Sequence, residues 1–257
     1  MFGFSPKLPI SEEERQWIDD GFHRLKRMLG ARRILEAPVV LPIAEHFPDP
    51  YDRTWASVEM LFQRVCGYMQ VDRSTIELEV LTDGTRELKS LLPYWRGDSA
   101  GCAGLYTHDQ TSTQGENAKG MVIAVSEAHF DDPLIVVATL AHELGHVILL
   151  GGGLIRPDVE DHEPLTDLLT VYLGLGVFTA NSAARFRQYQ HERRGGWSMR
   201  RLGYLPQEAF GYALAKFAAE RGEIKPEWAK HLTPNVRAYY KSSRAWLAKL
   251  LTSENAP

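Results

Sequence analysis

The strongest constraint on how this chain folds is an apolar segment with a helix signal at each end. Asp132 supplies an N-cap and Pro133 a first-turn proline, and residues 134–141 that follow are almost entirely apolar. Three glycines at 151–153 then provide a stop. The pattern predicts a helix that runs from Pro133 to about Leu150 and is buried along most of its length.

Further helices and a small sheet are predicted around this segment. A capping box from Ser11 to Glu14 opens a helix that ends near Gly30. Other helices are expected at 54–68, 162–175, 206–221 and 226–251, and strands at 74–81, 103–106 and 121–125. We therefore expect an α+β fold that is mainly helical, with a small sheet next to the helix at 133–150. We expect one domain over residues 1–257, with a core at about 70–180 and helical extensions on both sides.

Composition and charge exclude several classes of protein. Of the 257 residues, 44% are hydrophobic and 24% charged, which is typical of a globular protein. The net charge of −4 provides no basic field, so we expect no nucleic-acid partner. Two cysteines, Cys66 and Cys102, are too few for a disulfide framework, and we expect both to be buried thiols.

The sequence also bears on location. The N-terminus lacks a charged segment followed by an apolar one, so no secretory signal is predicted. The most apolar stretch, residues 133–153, is interrupted by His142, Glu143 and His146 and is judged too short to span a membrane. We therefore expect a cytoplasmic protein. The sequence predicts no particular oligomeric state.

The apolar helix carries the residues best suited to chemistry. His142 and His146 are four residues apart, so both imidazoles can point at one metal ion from the same helix face. Neutral imidazoles suit zinc, and Glu143 between them is placed to take a proton from a water molecule. The alternative is that both histidines are satisfied core residues and Glu143 is exposed. Burying three polar residues in an apolar helix without partners is costly, which favours a zinc site.

A third zinc ligand has to come from another segment, and residues 158–167 are the densest group of candidates. Glu163 and Asp167 are four apart and can share a helix face. Our preferred assignment makes Glu163 the third ligand and Asp167 an acceptor that orients a metal-bound imidazole. His162 in place of Glu163, Glu163 as a stabiliser of the helix N-terminus, and Asp167 as a purely structural acid are open alternatives.

These motifs resemble those of the gluzincin metallopeptidases, which pair a His-Glu-x-x-His helix with a glutamate on a following helix. Residues 141–146 and 163–167 look most like the ImmA/IrrE-type branch, and the resemblance covers residues 121–175. Pro164 and Thr166 depart from the usual second motif, and no helix-turn-helix segment is recognised. The resemblance implies a zincin-like fold, Glu143 as general base, and a peptide or protein substrate.

Two details of the site are less constrained by the sequence. A donor to the reacting oxygen is expected downstream, where Tyr204, Tyr212, His191 and Arg201 are candidates that the sequence does not rank. The strand at 121–125 is expected to offer an edge along which an extended peptide binds. The competing function is a non-catalytic, zinc-containing regulatory or binding protein.

Overall fold

The computed structural model describes residues 7–82, 104–108, 121–191 and 205–254. In chain order its helices are α1 (Glu12–Leu29), α2 (Ala31–Glu36), α3 (Trp55–Met69), α4 (Pro133–His146), α5 (His162–Tyr172), α6 (Gly176–His191), α7 (Gln207–Glu220) and α8 (Pro234–Glu254). Its strands are β1 (Ile76–Leu81), β2 (Gly104–His108) and β3 (Met121–Ser126). The described chain is therefore mostly helical with a small sheet, which confirms the α+β class.

The described residues pack into two compact units. One unit draws on Met1–Leu41, Glu163–Ala184 and Trp197–Pro257, and the other on Pro42–His162 and Arg185–Gly196. Packing units that alternate along a chain do not by themselves define folding domains. A single domain over residues 1–257 therefore stays a prediction.

The sheet lies in the second unit. Its strand order is β1-β3-β2, with β1 parallel to β3 and β2 antiparallel to β3. Helix α4 contacts β2, β3 and α3, so the expected position of the sheet next to this helix is confirmed. The expectation that residues 121–125 form a sheet edge is wrong, because β3 is the central strand and pairs on both sides. Burial of Ile123, Ala124 and Val125 agrees with that central position.

Local caps set where the helices begin. The Glu14 N–H donates to Ser11 Oγ at 3.2 Å, and the Ser11 N–H donates to the Glu14 carboxylate at 2.7 Å, which confirms the capping box. At α4 the Leu134 N–H donates to the Asp132 carboxylate at 3.0 Å, and Pro133 is the first helical residue. Both starts were predicted because each depends on residues at most three positions apart.

The end of α4 differs from a regular α-helix. After His146 the chain continues as a π-helical turn over Val147–Gly151, in which the Gly152 N–H donates to the Val147 carbonyl at 2.9 Å. A Cβ at Gly152 would lie 2.4 Å from the Ile148 carbonyl oxygen, and Gly153 has a φ of +65°. The glycine stop is therefore confirmed, and the wider last turn was not predicted.

In the first unit, a glycine separates α5 from α6. Gly174 has a φ of +85°, and a Cβ there would lie 2.0 Å from the Pro38 carbonyl oxygen. The Val40 N–H donates to the Gly174 carbonyl at 2.9 Å and holds the two segments together. The helix predicted at 162–175 therefore ends at Tyr172, and α6 follows it as a helix that was not predicted from the sequence.

The segment Pro133–Gly151 has the length and mean hydropathy of a membrane-spanning helix, with 19 residues and a value of 1.8. The expectation that this stretch is too short to span a membrane is therefore wrong, because 19 helical residues reach the required length. The rest of the protein buries 78% of the most apolar part of this segment. A core helix of a soluble protein passes the same test of length and composition, so the feature carries no conclusion about location.

Candidate metal centre

Helix α4 brings two imidazoles into contact. His142 is 3% exposed and His146 is 5% exposed, and their Nε2 atoms lie 3.1 Å apart. Their ring centroids are 4.7 Å apart, with the ring planes at 85°. This arrangement follows from the four-residue spacing, which places both side chains on one face of the helix one turn apart.

The separation of the two nitrogens fits a shared metal ion. Zinc–nitrogen bonds of about 2.0–2.1 Å in tetrahedral geometry place two ligand nitrogens roughly 3.3 Å apart. The observed 3.1 Å is close to that value. A hydrogen bond between two neutral imidazoles gives a similar separation, so the position of a third ligand has to distinguish the two interpretations.

Glu163 lies close enough to both imidazoles to be that third ligand. One ligand atom from each of His142, His146 and Glu163 lies within 4.8 Å of the other two. Bonds of about 2.0–2.2 Å in tetrahedral geometry place ligand atoms roughly 3.3–3.6 Å apart, which lies within that limit. Glu163 is half-buried, whereas the two histidines are buried. Among the described residues, this is the group of histidine, cysteine and acidic side chains able to hold a metal ion.

Glu143 is buried beside the two imidazoles. It follows His142 directly on α4, and its side chain is 3% exposed. The alternative in which Glu143 is an exposed helix residue is therefore wrong. Removing a carboxylate from water is expensive unless positive charge or hydrogen bonds compensate, and a metal ion held by the neighbouring histidines would supply positive charge.

Asp167 lies on α5, one turn after Glu163, and is 3% exposed. Its Oδ2 accepts a hydrogen bond from the Leu205 N–H at 2.7 Å. This link between positions 38 residues apart was not predicted, because nothing in the local sequence identifies a distant backbone amide as a partner. That Asp167 also orients a metal-bound imidazole stays a prediction.

His162 lies beside the site without joining the ligand group. Its ring centroid is 5.7 Å from that of His146, with the planes at 57°. The ligand atoms that come together are those of His142, His146 and Glu163. The geometry therefore favours Glu163 over His162 as third ligand, a choice between adjacent residues that the sequence left open.

In the part of the chain that the structure describes, none of the expected downstream donors is seen at the site. Tyr204, Arg201 and the side chain of His191 lie outside the described part of the chain. Tyr212 is buried in the first unit, where its hydroxyl donates to Asp19 Oδ1 at 3.1 Å. Burial raises the pKa of Tyr212, and the nearby Asp19 carboxylate raises it further. Tyr212 therefore has a structural partner.

Cys66, the cysteine that the structure describes, is not part of this group. Cys66 is 2% exposed, and burial raises the pKa of its thiol to about 12. This confirms the prediction of a buried thiol at Cys66, whereas Cys102 lies outside the described residues. A thiol with so high a pKa is almost entirely protonated near neutral pH and is a poor nucleophile.

Comparisons with family models, curated proteins and solved structures find no match to this chain. The resemblance to the gluzincins therefore rests on the motif residues of the chain itself.

Proposed function

We propose that this protein is a zinc-dependent hydrolase, and specifically a metallopeptidase of gluzincin type. One observation carries the proposal. Ligand atoms of His142, His146 and Glu163 all lie within 4.8 Å of one another, and Glu143 is buried next to His142. Each feature alone has a structural explanation. Their combination on α4 and at the start of α5 is the donor set that a catalytic zinc ion takes.

The donor set selects zinc on chemical grounds. Imidazole nitrogens and a carboxylate oxygen suit zinc, and sites built mostly from oxygen ligands suit magnesium or calcium. Three protein ligands leave a fourth position for water or substrate, which is the arrangement of catalytic zinc sites. When bound, zinc polarises a carbonyl and lowers the pKa of a water molecule.

The residues of the chain perform the remaining steps. His142, His146 and Glu163 would hold the ion, and the Glu143 carboxylate would accept a proton from the attacking water. The water oxygen forms a bond to the peptide carbonyl carbon, and the carbon–nitrogen bond then breaks. Glu143 returns its proton to the leaving nitrogen, so the carboxylate is restored at the end of the cycle.

Strand β2 lies at an edge of the sheet formed by the described residues, and such an edge offers a binding mode for an extended peptide. Strand β2 pairs with β3 on one side and has no second strand partner among the described residues. Helix α4, which carries His142 and Glu143, contacts β2 within the same unit. We therefore assign peptide binding by strand addition to β2, in place of β3. A peptide or protein substrate in the cytoplasm, with no nucleic acid, completes the proposal.

One observation favours a second candidate function. The ring of His162 lies 5.7 Å from that of His146, which is close enough for a modest movement to make His162 a fourth protein ligand. A zinc ion with four protein ligands is closed to substrate, as in structural sites. In that case the protein would be a non-catalytic, zinc-containing regulatory or binding protein.

The test compares metal content and hydrolysis in a matched set of variants. We expect about one zinc ion per chain in the wild type and in Glu143→Gln, with hydrolysis of a diverse peptide library lowered at least ~100-fold in that variant. Glu127→Gln, which changes an exposed glutamate, is its control. Glu163→Ala should weaken zinc binding, and Glu160→Ala in the same acidic stretch should leave it unchanged.

The outcomes separate the parts of the proposal. Retained hydrolysis in Glu143→Gln would exclude Glu143 as the base. A wild-type protein without bound zinc would overturn the metal site itself. Bound zinc without turnover of any peptide, also after removal of the terminal helices, would support the non-catalytic alternative.

A further inference from the structure

His162 is a polar side chain at the candidate site that the proposed mechanism leaves without a role. It is the first residue of α5 and directly precedes the ligand Glu163. The residue is half-buried, whereas His142 and His146 are almost fully buried. His162 therefore lies nearer to solvent than the two imidazoles that point at the metal position.

Its direction follows from the start of the helix. Adjacent Cα atoms are about 3.8 Å apart, and side chains on a helix are rotated by about 100° per residue. The side chains of His162 and Glu163 therefore start from neighbouring positions on the helix and point in different directions. The contact between the rings of His162 and His146, at 5.7 Å and 57°, shows that His162 points towards the α4 side of the site.

The proposed reaction needs a hydrogen-bond donor close to the metal position. As water attacks a peptide carbonyl, negative charge develops on the carbonyl oxygen, and a preorganised donor stabilises it. Glu143 is an acceptor when ionised, and the nitrogens of His142 and His146 that face each other are assigned to the metal. Tyr212 donates to Asp19. The imidazole of His162 offers an N–H group that can meet this need.

We propose that His162 is a catalytic residue whose imidazole N–H group donates a hydrogen bond to the substrate carbonyl oxygen as that oxygen becomes negatively charged. The inference rests on the proposed zinc peptidase function and deepens it. His162 sits outside the group whose ligand atoms come together, which separates this role from that of a zinc ligand. No proton leaves His162 during the reaction, since it stabilises charge by donating a hydrogen bond.

The experiment uses the full-length protein with cobalt(II) in place of zinc, because cobalt has a visible spectrum that reports its ligands. The probe for the open position is acetohydroxamate, which binds metal ions through its oxygen atoms and requires no known substrate. Binding is measured by titration of the probe at one fixed pH for all variants. The variants are His162→Phe, which keeps a ring without an N–H, and His162→Gln, which restores donors. His23→Phe, at an exposed histidine on α1, is the control.

We expect His162→Phe to leave the cobalt spectrum and cobalt affinity unchanged. Acetohydroxamate should bind it about 10- to 100-fold more weakly, the range for loss of one hydrogen bond to a charged group. His162→Gln should recover most of that affinity, and His23→Phe should match the wild type. If thermal unfolding shows that His162→Phe is unfolded, His162→Ala replaces it in the same titrations.

Each other outcome has a distinct meaning. A changed cobalt spectrum in the His162 variants would make His162 a metal ligand and overturn the donor role. Unchanged acetohydroxamate affinity in a folded, cobalt-loaded variant would make His162 a packing residue and overturn this inference alone. A wild-type protein that binds no cobalt would overturn the proposed function.

Discussion

Replacing Gly174 by alanine should destabilise the protein strongly, although the change adds a single methyl group. Gly174 ends the segment that begins with α5, the helix that carries Glu163 and Asp167. Its φ of +85° is unfavourable for a residue with a Cβ, at a cost of about 1–2 kcal/mol. The new Cβ would also lie 2.0 Å from the Pro38 carbonyl oxygen and 2.9 Å from the Pro38 carbonyl carbon.

These are backbone atoms, so the clash cannot be relieved by rotating a side chain. Overpacking of this kind costs roughly 1–3 kcal/mol, which gives a total loss of about 3 kcal/mol in the free energy of unfolding. For a chain of this length, that loss corresponds to a fall in Tm of roughly 5–10 °C. Differential scanning calorimetry and urea unfolding measure the two quantities independently.

Gly67→Ala is the matched control. It makes the same chemical change at a position where the structure predicts a gain, and not a loss, in the free energy of unfolding. Gly67 lies inside α3 with no positive φ, and a Cβ there meets nothing within 4 Å. Alanine should stabilise this helix by about 0.5–1 kcal/mol. A Gly174→Ala variant as stable as the wild type, or less affected than Gly67→Ala, would refute the reasoning.

Three further predictions concern single buried groups. In a Cys102→Ser background, native Cys66 should react with a thiol reagent at least ~100-fold more slowly than in denaturant, because burial raises its pKa to about 12; equal rates would contradict its burial. Burial, with a smaller contribution from Arg185, lowers the pKa of His129, so the unfolded chain binds its proton more readily. The wild type should therefore lose more unfolding free energy than His129→Gln as pH falls below about 6.5, and urea titrations with equal losses would exclude this linkage. Thr139 is 3% exposed and its hydroxyl lacks a hydrogen-bond partner among the described residues, so Thr139→Val should raise the free energy of unfolding by about 1 kcal/mol; a loss of stability in urea would show that the hydroxyl is satisfied.

The parts of the fold that the sequence predicted are those determined by neighbouring residues. The capping box at Ser11 and Glu14 and the N-cap at Asp132 depend on contacts two or three residues apart. The histidine pair on α4 is equally local, since a four-residue spacing on a helix leaves little freedom. Such features can be predicted from the sequence because regular helix geometry fixes the relative positions of residues two to four apart.

The features that the sequence did not predict depend on distant partners. The central position of β3 is set by pairing with both β1 and β2, and a strand pattern does not specify the order of strands. The bond from the Leu205 N–H to Asp167 joins residues 38 positions apart. His162 and Glu163 are both plausible ligands in the sequence, and only the fold around α4 distinguishes the residue that joins the histidines.

In the unfolded chain, the segment Pro133–Gly151 exposes 19 residues with a mean hydropathy of 1.8, a composition prone to self-association. The polar residues His142, Glu143 and His146 interrupt that stretch. We expect the double variant His142→Leu/His146→Leu to refold from urea in lower yield than His142→Asn/His146→Asn, although both variants lack the imidazoles. Equal yields would show that the histidines have no such effect. The residues proposed to bind the metal in the folded protein would thus also protect the chain from aggregation before it folds.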